Sequence, residues 1–530
     1  MYKVSIFSIN NNHDNRVIVL REPKTIYEIL KSCDISLNNA SCGGNHSCGK
    51  CVVSVKGNTS TCSGEEYTLL QNSGYTKDNI YGTPRLACMC KILGDSEIYY
   101  SNTDFDELFL NDKLEHIHTK PTRVGIAIDI GTTTLEISFY NLDTCERLIV
   151  KRTLNSQRIF GADVLSRIEH ANREGYSIGH ETIIKDIYDS ILSISKTMSI
   201  SLETIESIVI TGNTTMLHFL TNLNPSGIGV YPFTPMSLFG YEIKGNKLFP
   251  YLSDTSTIYI SSCIGPYIGG DITCGILYTD MLSSNKVNLL IDVGTNGEIA
   301  LSKDGYIYCC STAAGPAFEG GEISNGSIAV SGAIDRVWLE DNKIQYSTIN
   351  NTNPKGICGT GIISAIETLL EAGMIDSSGR IKETGHKYCD YIFKIEKQLA
   401  VYIVKKGVFL TQQDIRNVQL AKAAIAAGIS TLLNETETDI EDVQSLYLSG
   451  GFGSGINATS AAAIGLIPKQ LVDRVQSIGN SALLGAERIL LNNDKEKMKE
   501  ISEFSTEISL SSNSYFMDQY INNMSFMRYL

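Results

Sequence analysis

The chain writes one pattern twice. "VGIAIDIGTTTLEISFY" at residues 124–140 returns as "VNLLIDVGTNGEIALSK" at 287–303, and the two copies align without a gap. Each runs an apolar strand into Asp-x-Gly-Thr and out into a second strand, which predicts a β-hairpin with a glycine-bearing turn. An internal repeat constrains architecture strongly, because two copies of one supersecondary unit imply two related lobes. Gly131 and Gly294 let backbone approach an anion closely. Thr132, Thr133, Thr134, Thr295 and Asn296 offer hydroxyl, amide and main-chain donors, and Gly297 completes the second turn. Asp129 and Asp292 stand at strand ends, where a carboxylate can hold a Mg2+-bound water facing phosphates. Two such turns facing each other would grip one triphosphate from both sides.

Other segments fit between and after the copies. In "VQSLYLSGGFGSGINATSAAAIGL" (443–466) a strand ends at Gly450 and Gly451, Gly453 follows, and a helix is expected from about Ile456. Glycines there let a flat purine lie against backbone. "YIGGDITCGILYTDML" (267–282) predicts a helix with Asp271 at its start, and "KGICGTGIISAIETLLEAGMI" (355–375) one opening at Gly359 and Gly361. The helix of 412–433 has an apolar stripe for core packing, with Gln412, Asp414 and Arg416 at its start as candidates to approach a nucleotide. "STAAGPAFEGGEI" (311–323) is open to two readings: a tight turn, or a segment whose Gly315, Pro316, Phe318, Glu319 and Gly320 shape the cleft or touch a partner. Asn213 is placed to cap a helix.

The first hundred residues carry different chemistry. Cys42, Cys48 and Cys51 fall within "ASCGGNHSCGKCVVSV", and Cys88 follows in "RLACMC". Plant-type 2Fe-2S sites use a closely similar C-x4-C-x2-C…C arrangement. Three ligands come from one tight loop and the fourth from a distant strand, and Gly43, Gly44 and Gly49 allow the wrap. Zinc is the alternative for a C-x2-C pair, although zinc ribbons use two such knuckles and only one has that spacing here. Cys88 or Cys90 can supply the fourth thiolate, and the ferredoxin spacing favours Cys88. The stretch 1–98 resembles the small β-grasp ferredoxins throughout, and 99–122, polar and without a clear period, reads as a linker.

Totals exclude several classes. A prior of about one domain per 150 residues gives 530 residues three or four domains. The formal charge of −14 and the absence of a basic run argue against nucleic-acid binding. No apolar run approaches the roughly 18–20 residues that span a bilayer, and the start lacks a signal pattern. The expected location is the cytoplasm, where fourteen cysteines serve as ligands or packed thiols rather than disulfides.

In this order, the two Asp-x-Gly-Thr turns, the connecting helices and the Gly450–Gly453 turn resemble the actin, sugar-kinase and Hsp70 (ASKHA) superfamily. The fold class implied is α/β and α+β multidomain: a β-grasp ferredoxin domain (1–98), a linker (99–122) and a two-lobed ATPase (lobe I 123–282, lobe II 283–530). "IDIGTTT", "ITGNTTMLH", "GGDITCGIL", "LLIDVGTNGEIAL", "STAAGPAFEGGEI", "ICGTGIISAI" and "LSGGFGSGIN" narrow the resemblance to the reductive activators of corrinoid proteins. It implies ATP-driven one-electron reduction of Co(II) to Co(I) on a partner corrinoid protein of a methyltransferase system, with a 2Fe-2S cluster, ATP and Mg2+ as cofactors. An upstream electron donor would feed the cluster, and a homodimer is one possible assembly. In that superfamily an acidic residue orients the attacking water, and Asp271 or Asp292 is placed to do so here, with Asp129 the matching carboxylate of the first turn. Members carrying the cluster commonly have a further small domain before the ATPase, for which the span from Glu97 to Val124 leaves no room. Rival readings are a small-molecule kinase, an Hsp70-like clamp, and an ATP-driven electron donor to a non-corrinoid enzyme.

Overall fold

The computed structural model describes residues 2–8, 16–33, 35, 37, 46, 51–72, 82–100, 107–110, 121–395, 397–450 and 455–526. The chain forms two compact units. One joins Met1–Leu108 to Thr132–Thr134 and Arg152–Asp186, and the other holds Phe109–Gly131, Leu135–Lys151 and Ile187–Leu530.

The first unit is built on a five-stranded sheet in the order Arg16–Leu20, Tyr2–Ser8, Ile92–Tyr100, Val52–Thr59, Thr83–Leu86. Tyr2–Ser8 pairs antiparallel with Arg16–Leu20 and parallel with Ile92–Tyr100. The helix Ile26–Ser32 starts at a capping box, in which Thr25 and Glu28 satisfy each other's backbone N–H groups. It buries Ile26, Ile29 and Leu30 with Val4, Ile6, Val53, Leu86 and Ile98.

A second helix, Gly64–Asn72, is tied to Thr83–Leu86 by a buried ion pair. Arg85 donates through Nε and Nη2 to the two carboxylate oxygens of Glu66, each at 2.8 Å, and Leu86 N–H donates to the same carboxylate at 2.9 Å. The remaining guanidinium nitrogen donates to Thr59 Oγ1 and Ser60 O. Such completeness offsets the desolvation of both charges, so loss of one partner is what hurts. Arg85→Met should therefore lower stability by about 3–5 kcal/mol, and Arg85→Met combined with Glu66→Leu should recover most of it. Denaturant midpoints of the two variants check this. A double variant as unstable as the single would contradict it.

In the second unit the repeated hairpins occupy the centres of two sheets. One has the order Tyr241–Lys244, Thr257–Ile260, Ile205–Gly212, Val124–Ile130, Thr134–Asn141, Glu146–Leu154, Glu107–Leu110. The other runs Val475–Gly479, Val443–Ser449, Val287–Val293, Gly297–Lys303, Tyr306–Thr312, Ser505–Glu507. On one side of each hairpin lie two parallel strands, and on the other an antiparallel one. The repeat thus extends well past the motif that announced it. Both parallel neighbours end at a glycine with positive φ, Gly212 at 153° and Gly450 at 112°. A Cβ on Gly212 would lie 2.7 Å from Ile130 O, and one on Gly450 2.3 Å from Val293 O. Conformation and contact both demand glycine at these two matching sites.

Register corrects the gapless alignment. In the first hairpin Ile130 faces Leu135 and Asp129 faces Glu136; in the second Val293 faces Gly297 and Asp292 faces Glu298. The second turn is one residue shorter. Glu136 therefore corresponds to Glu298, not to Ile299, as a one-residue slip would otherwise turn every side chain to the wrong face. Within the stretch read as a linker, Glu107–Leu110 forms the edge strand of the seven-stranded sheet.

Two helices, Gly270–Tyr278 and Ser481–Asn492, touch backbone to backbone: a Cβ on Gly485 would lie 2.1 Å from Cys274 O. The long helix Gln412–Glu435 packs Ile415, Val418, Ile425 and Ile429 into the core of the second sheet. No helix among the described residues is long and apolar enough to cross a membrane.

Candidate functional site

Four acids meet at the ends of the hairpin strands. Asp129 and Asp292 are the penultimate residues of the first strands, Asp271 lies in the first turn of the helix Gly270–Tyr278, and Glu298 is the second residue of the second strand of the second hairpin. Glu298 is buried, whereas the three aspartates are densely surrounded yet keep part of their surface accessible. Burial pushes the Asp271 carboxyl up to about 7, with the Asp292 charge adding to it. Burial also raises Asp292 to about 6, against the pull of the Ser449 hydroxyl. Glu298 is raised by burial and then by Asp271 and Asp292, and Asp129 by burial against its bond from Asn480. No basic side chain is among the groups acting on Asp271 or Asp292. Like charges gathered without a counter-charge are what a bound cation would relieve, so this donor set fits Mg2+. The carboxylates do not by themselves form a closed set of ligands: among the described residues no three acids, histidines or cysteines are already placed to hold an ion.

Each motif aspartate is held by a residue that the sequence reading did not single out. Asn480 Nδ2 donates to Asp129 Oδ2 at 2.8 Å, while its Oδ1 caps the helix Ser481–Asn492 by accepting from Leu483 N. Ser449 Oγ donates to Asp292 Oδ2 at 3.0 Å and meets Ser481 Oγ at 2.7 Å. Ser449 ends the strand parallel to the second hairpin and Asn480 follows the next strand of that sheet, so neither carries a local sequence signal. Asn213 caps the helix Thr214–Leu220 by accepting from Met216 N.

The turn residues divide by role. Gly294 has open space where a side chain would be, with nothing closer than 3.7 Å. Thr295 Oγ1 donates to Glu319 Oε2 at 2.6 Å. Gly297 is packed: a Cβ there would lie 2.7 Å from both Ile425 Cγ1 and Thr312 Oγ1. Gly131 follows the first strand, in the same unit as the carboxylates. Thr132, Thr133 and Thr134 belong to the other unit, where Arg167 Nη2 donates to Thr132 O and Asn155 N to Thr133 O. Gly451 and Gly453 lie outside the described residues. The helix that follows begins at Ala458 behind an Asn457 cap, two residues later than expected.

Gln412 and Asp414 are committed to the fold. Asp414 accepts from Thr411 N and from Ser324 N and Oγ, and Gln412 accepts from Ile381 N and donates to Gly379 O. The "STAAGPAFEGGEI" segment is a tight turn, Pro316–Glu319, anchored by buried Phe318, and its Glu319 also reaches the second hairpin turn.

In the first unit Cys51 and Cys88 are buried with their sulfurs 3.2 Å apart, and Cys88 N–H donates to Cys51 Sγ at 3.5 Å. Two thiolates so close, one receiving a backbone bond, can share a tetrahedral metal. Cys90 is buried beside Arg85 and Glu66, and burial pushes its thiol up to about 11. Cys42 and Cys48 lie outside the described residues.

Paired sheets with repeated hairpins, and carboxylates gathered at their turns, define an α/β protein of the ASKHA class. Comparison with known proteins agrees. The family model described as the C-terminal domain of RACo, the ASKHA domain, matches residues 286–529, and that of the RACo middle region matches 124–284. The corrinoid activation enzyme RamQ of Eubacterium limosum is 33% identical over 422 residues, covering 76% of this chain and 70% of that protein. A reductase of Methanosarcina barkeri, named for the Co(II) methylated amine-specific corrinoid protein, is 27% identical over 416 residues, 73% of each chain. The solved structure of a reductive activator for corrinoid, iron-sulfur protein superposes with a TM-score of 0.72 at 27% identity, covering 99% of this chain and 98% of that one. The chain belongs to the family of reductive activators of corrinoid proteins. Coverage of 98% of that structure also corrects the expectation of a missing domain: the family's middle region is residues 124–284, the stretch read as the first lobe.

Proposed function

We propose that the chain reduces Co(II) to Co(I) on a partner corrinoid protein, one electron at a time, and that ATP hydrolysis drives the step. The observation that carries the ATP part is the set of carboxylates at two repeated turns, crowded enough to hold protons well above the ordinary range. Asp129, Asp292 and Asp271 would hold Mg2+ through its waters, which neutralises phosphate charge when bound. Asn480 and Ser449 fix the two motif carboxylates, and Gly294 leaves space for a phosphate. Asp271 or Asp292 would orient the attacking water, and Gly450, Gly451 and Gly453 would line the adenosine.

At the front, Cys42, Cys48, Cys51 and Cys88 would hold a 2Fe-2S cluster, whose chemistry is to accept and release one electron. The sheet order of the first unit, with its first and last strands parallel at the centre, supports the β-grasp ferredoxin reading of 1–98. Plant-type clusters have potentials of about −400 mV. The cobalt couple lies lower, and a gap of about 100–200 mV costs roughly 2–5 kcal/mol for one electron. Closure of lobes 123–282 and 283–530 on ATP would supply it by altering the cobalt's coordination on the partner. Residues 99–122 would link the two functions, an upstream donor would recharge the cluster, and the reaction is placed in the cytoplasm. Anaerobically prepared protein should contain two irons and two acid-labile sulfides per chain. It should also hydrolyse ATP faster when a Co(II) corrinoid protein is added. Zinc in place of iron would overturn the electron path, and phosphoryl transfer to a small molecule without cobalt reduction would favour a kinase.

A further inference from the structure

Glu319 was open to two readings in the sequence, and the structure gives it a specific neighbour. The backbone turns at Gly315 (φ 78°), runs through Pro316–Glu319 and turns again at Gly320 (φ 75°). Phe318 is 1% exposed and Gly321 N–H donates to Pro316 O at 2.9 Å, so the turn is fixed at both ends. From this rigid support the carboxylate accepts the Thr295 hydroxyl at 2.6 Å.

A hydroxyl has one proton. With it committed to Glu319, Thr295 Oγ1 cannot donate to a phosphate oxygen, as the sequence reading supposed. What it retains are lone pairs, which can accept from water or coordinate a cation.

We infer that Glu319 is a positioning residue that polarises Thr295, so that the Thr295 oxygen serves the Mg2+ ion or one of its waters rather than the phosphate. The inference rests on the reading of the second hairpin as a phosphate and Mg2+ turn and adds a role for two residues within it.

The test is titration of full-length protein with a fluorescent N-methylanthraniloyl ATP, once with Mg2+ and once in EDTA. Thr295→Val and Glu319→Gln should each reduce the Mg2+-dependent gain in affinity by about tenfold or more, the usual effect of losing a group that supports a metal ligand. Affinity in EDTA should not change. The double variant should lose no more than Thr295→Val alone, and Thr295→Ser should restore the gain. If Glu319→Gln fails to fold, Thr295→Val and Thr295→Ser still carry the comparison. Equal losses with and without Mg2+, or losses that multiply in the double variant, would overturn the inference. A wild-type protein that gains affinity from Mg2+ while Thr295→Val gains as much would sink this assignment alone. A wild-type protein that binds no nucleotide would remove the underlying reading with it.

Discussion

The substitution Asp292→Asn should lower ATP hydrolysis by about two to three orders of magnitude and at the same time make the metal-free protein more stable. The first effect follows from losing the carboxylate proposed to hold a Mg2+-bound water or orient the attacking one, acid–base help usually worth about 10²–10⁴ in rate. The second follows from the crowding. Asp292 raises the proton affinity of both Asp271 and Glu298, so neutralising it relieves a repulsion that the folded chain otherwise bears. The introduced amide keeps the shape, and its oxygen can still accept from Ser449 Oγ. A merely structural aspartate would give the opposite pairing, with lower stability and activity lost in proportion.

The same crowding sets a pH dependence. Asp271 and Asp292 hold their protons more tightly folded than unfolded, at about 7 and about 6 against an ordinary value of 3.8. The folded state is thus favoured most while these groups stay protonated. Without metal, stability should fall as pH rises from about 4 through about 7 and level off above, since the unfolded chain releases these protons first. Asp292→Asn should flatten that slope, and Mg2+ with nucleotide should raise the melting temperature more at pH 8 than at pH 5.5. Thermal unfolding in EDTA across this range measures both.

Cys88→Ser should abolish cobalt reduction and bring iron well below two per chain, whereas Cys90→Ser should keep both. The two thiols are two residues apart but differently placed. Cys88 faces Cys51 at 3.2 Å, while Cys90 is packed beside the Arg85–Glu66 pair, where burial pushes its thiol up to about 11. Iron and sulfide analysis of the two variants decides between them. Loss of iron in Cys90→Ser with retention in Cys88→Ser would reverse the ligand assignment.

Much of this was legible in the residues because the chemistry is carried by short strings with strict geometry. The Asp-x-Gly-Thr copies located Asp129 and Asp292, and the helix start located Asp271. What could not be read was pairing across the chain. The hairpin turns differ by one residue, which only strand register exposes, so the equivalence of Glu136 and Glu298 was hidden behind a gapless alignment. Asn480 and Ser449 lie far along the sequence from the aspartates they hold, and each looks like an ordinary helix cap or strand end. Gly297 resembled a phosphate-turn glycine, but what requires it is the side of the helix Gln412–Glu435, a contact without a local signal. Glu107–Leu110 gave no period in its surroundings because an edge strand of four residues is too short to show one.

The central claim is that nucleotide energy in the two-lobed unit lifts an electron held at the cysteine site onto cobalt. Its most direct measurement is anaerobic: protein with a fully reduced cluster is mixed with a Co(II) corrinoid protein, and cobalt absorbance is followed with and without MgATP. The expected result is conversion to Co(I) with MgATP and little or none without it or with a non-hydrolysable analogue. Conversion to the same extent in the absence of nucleotide would contradict the account.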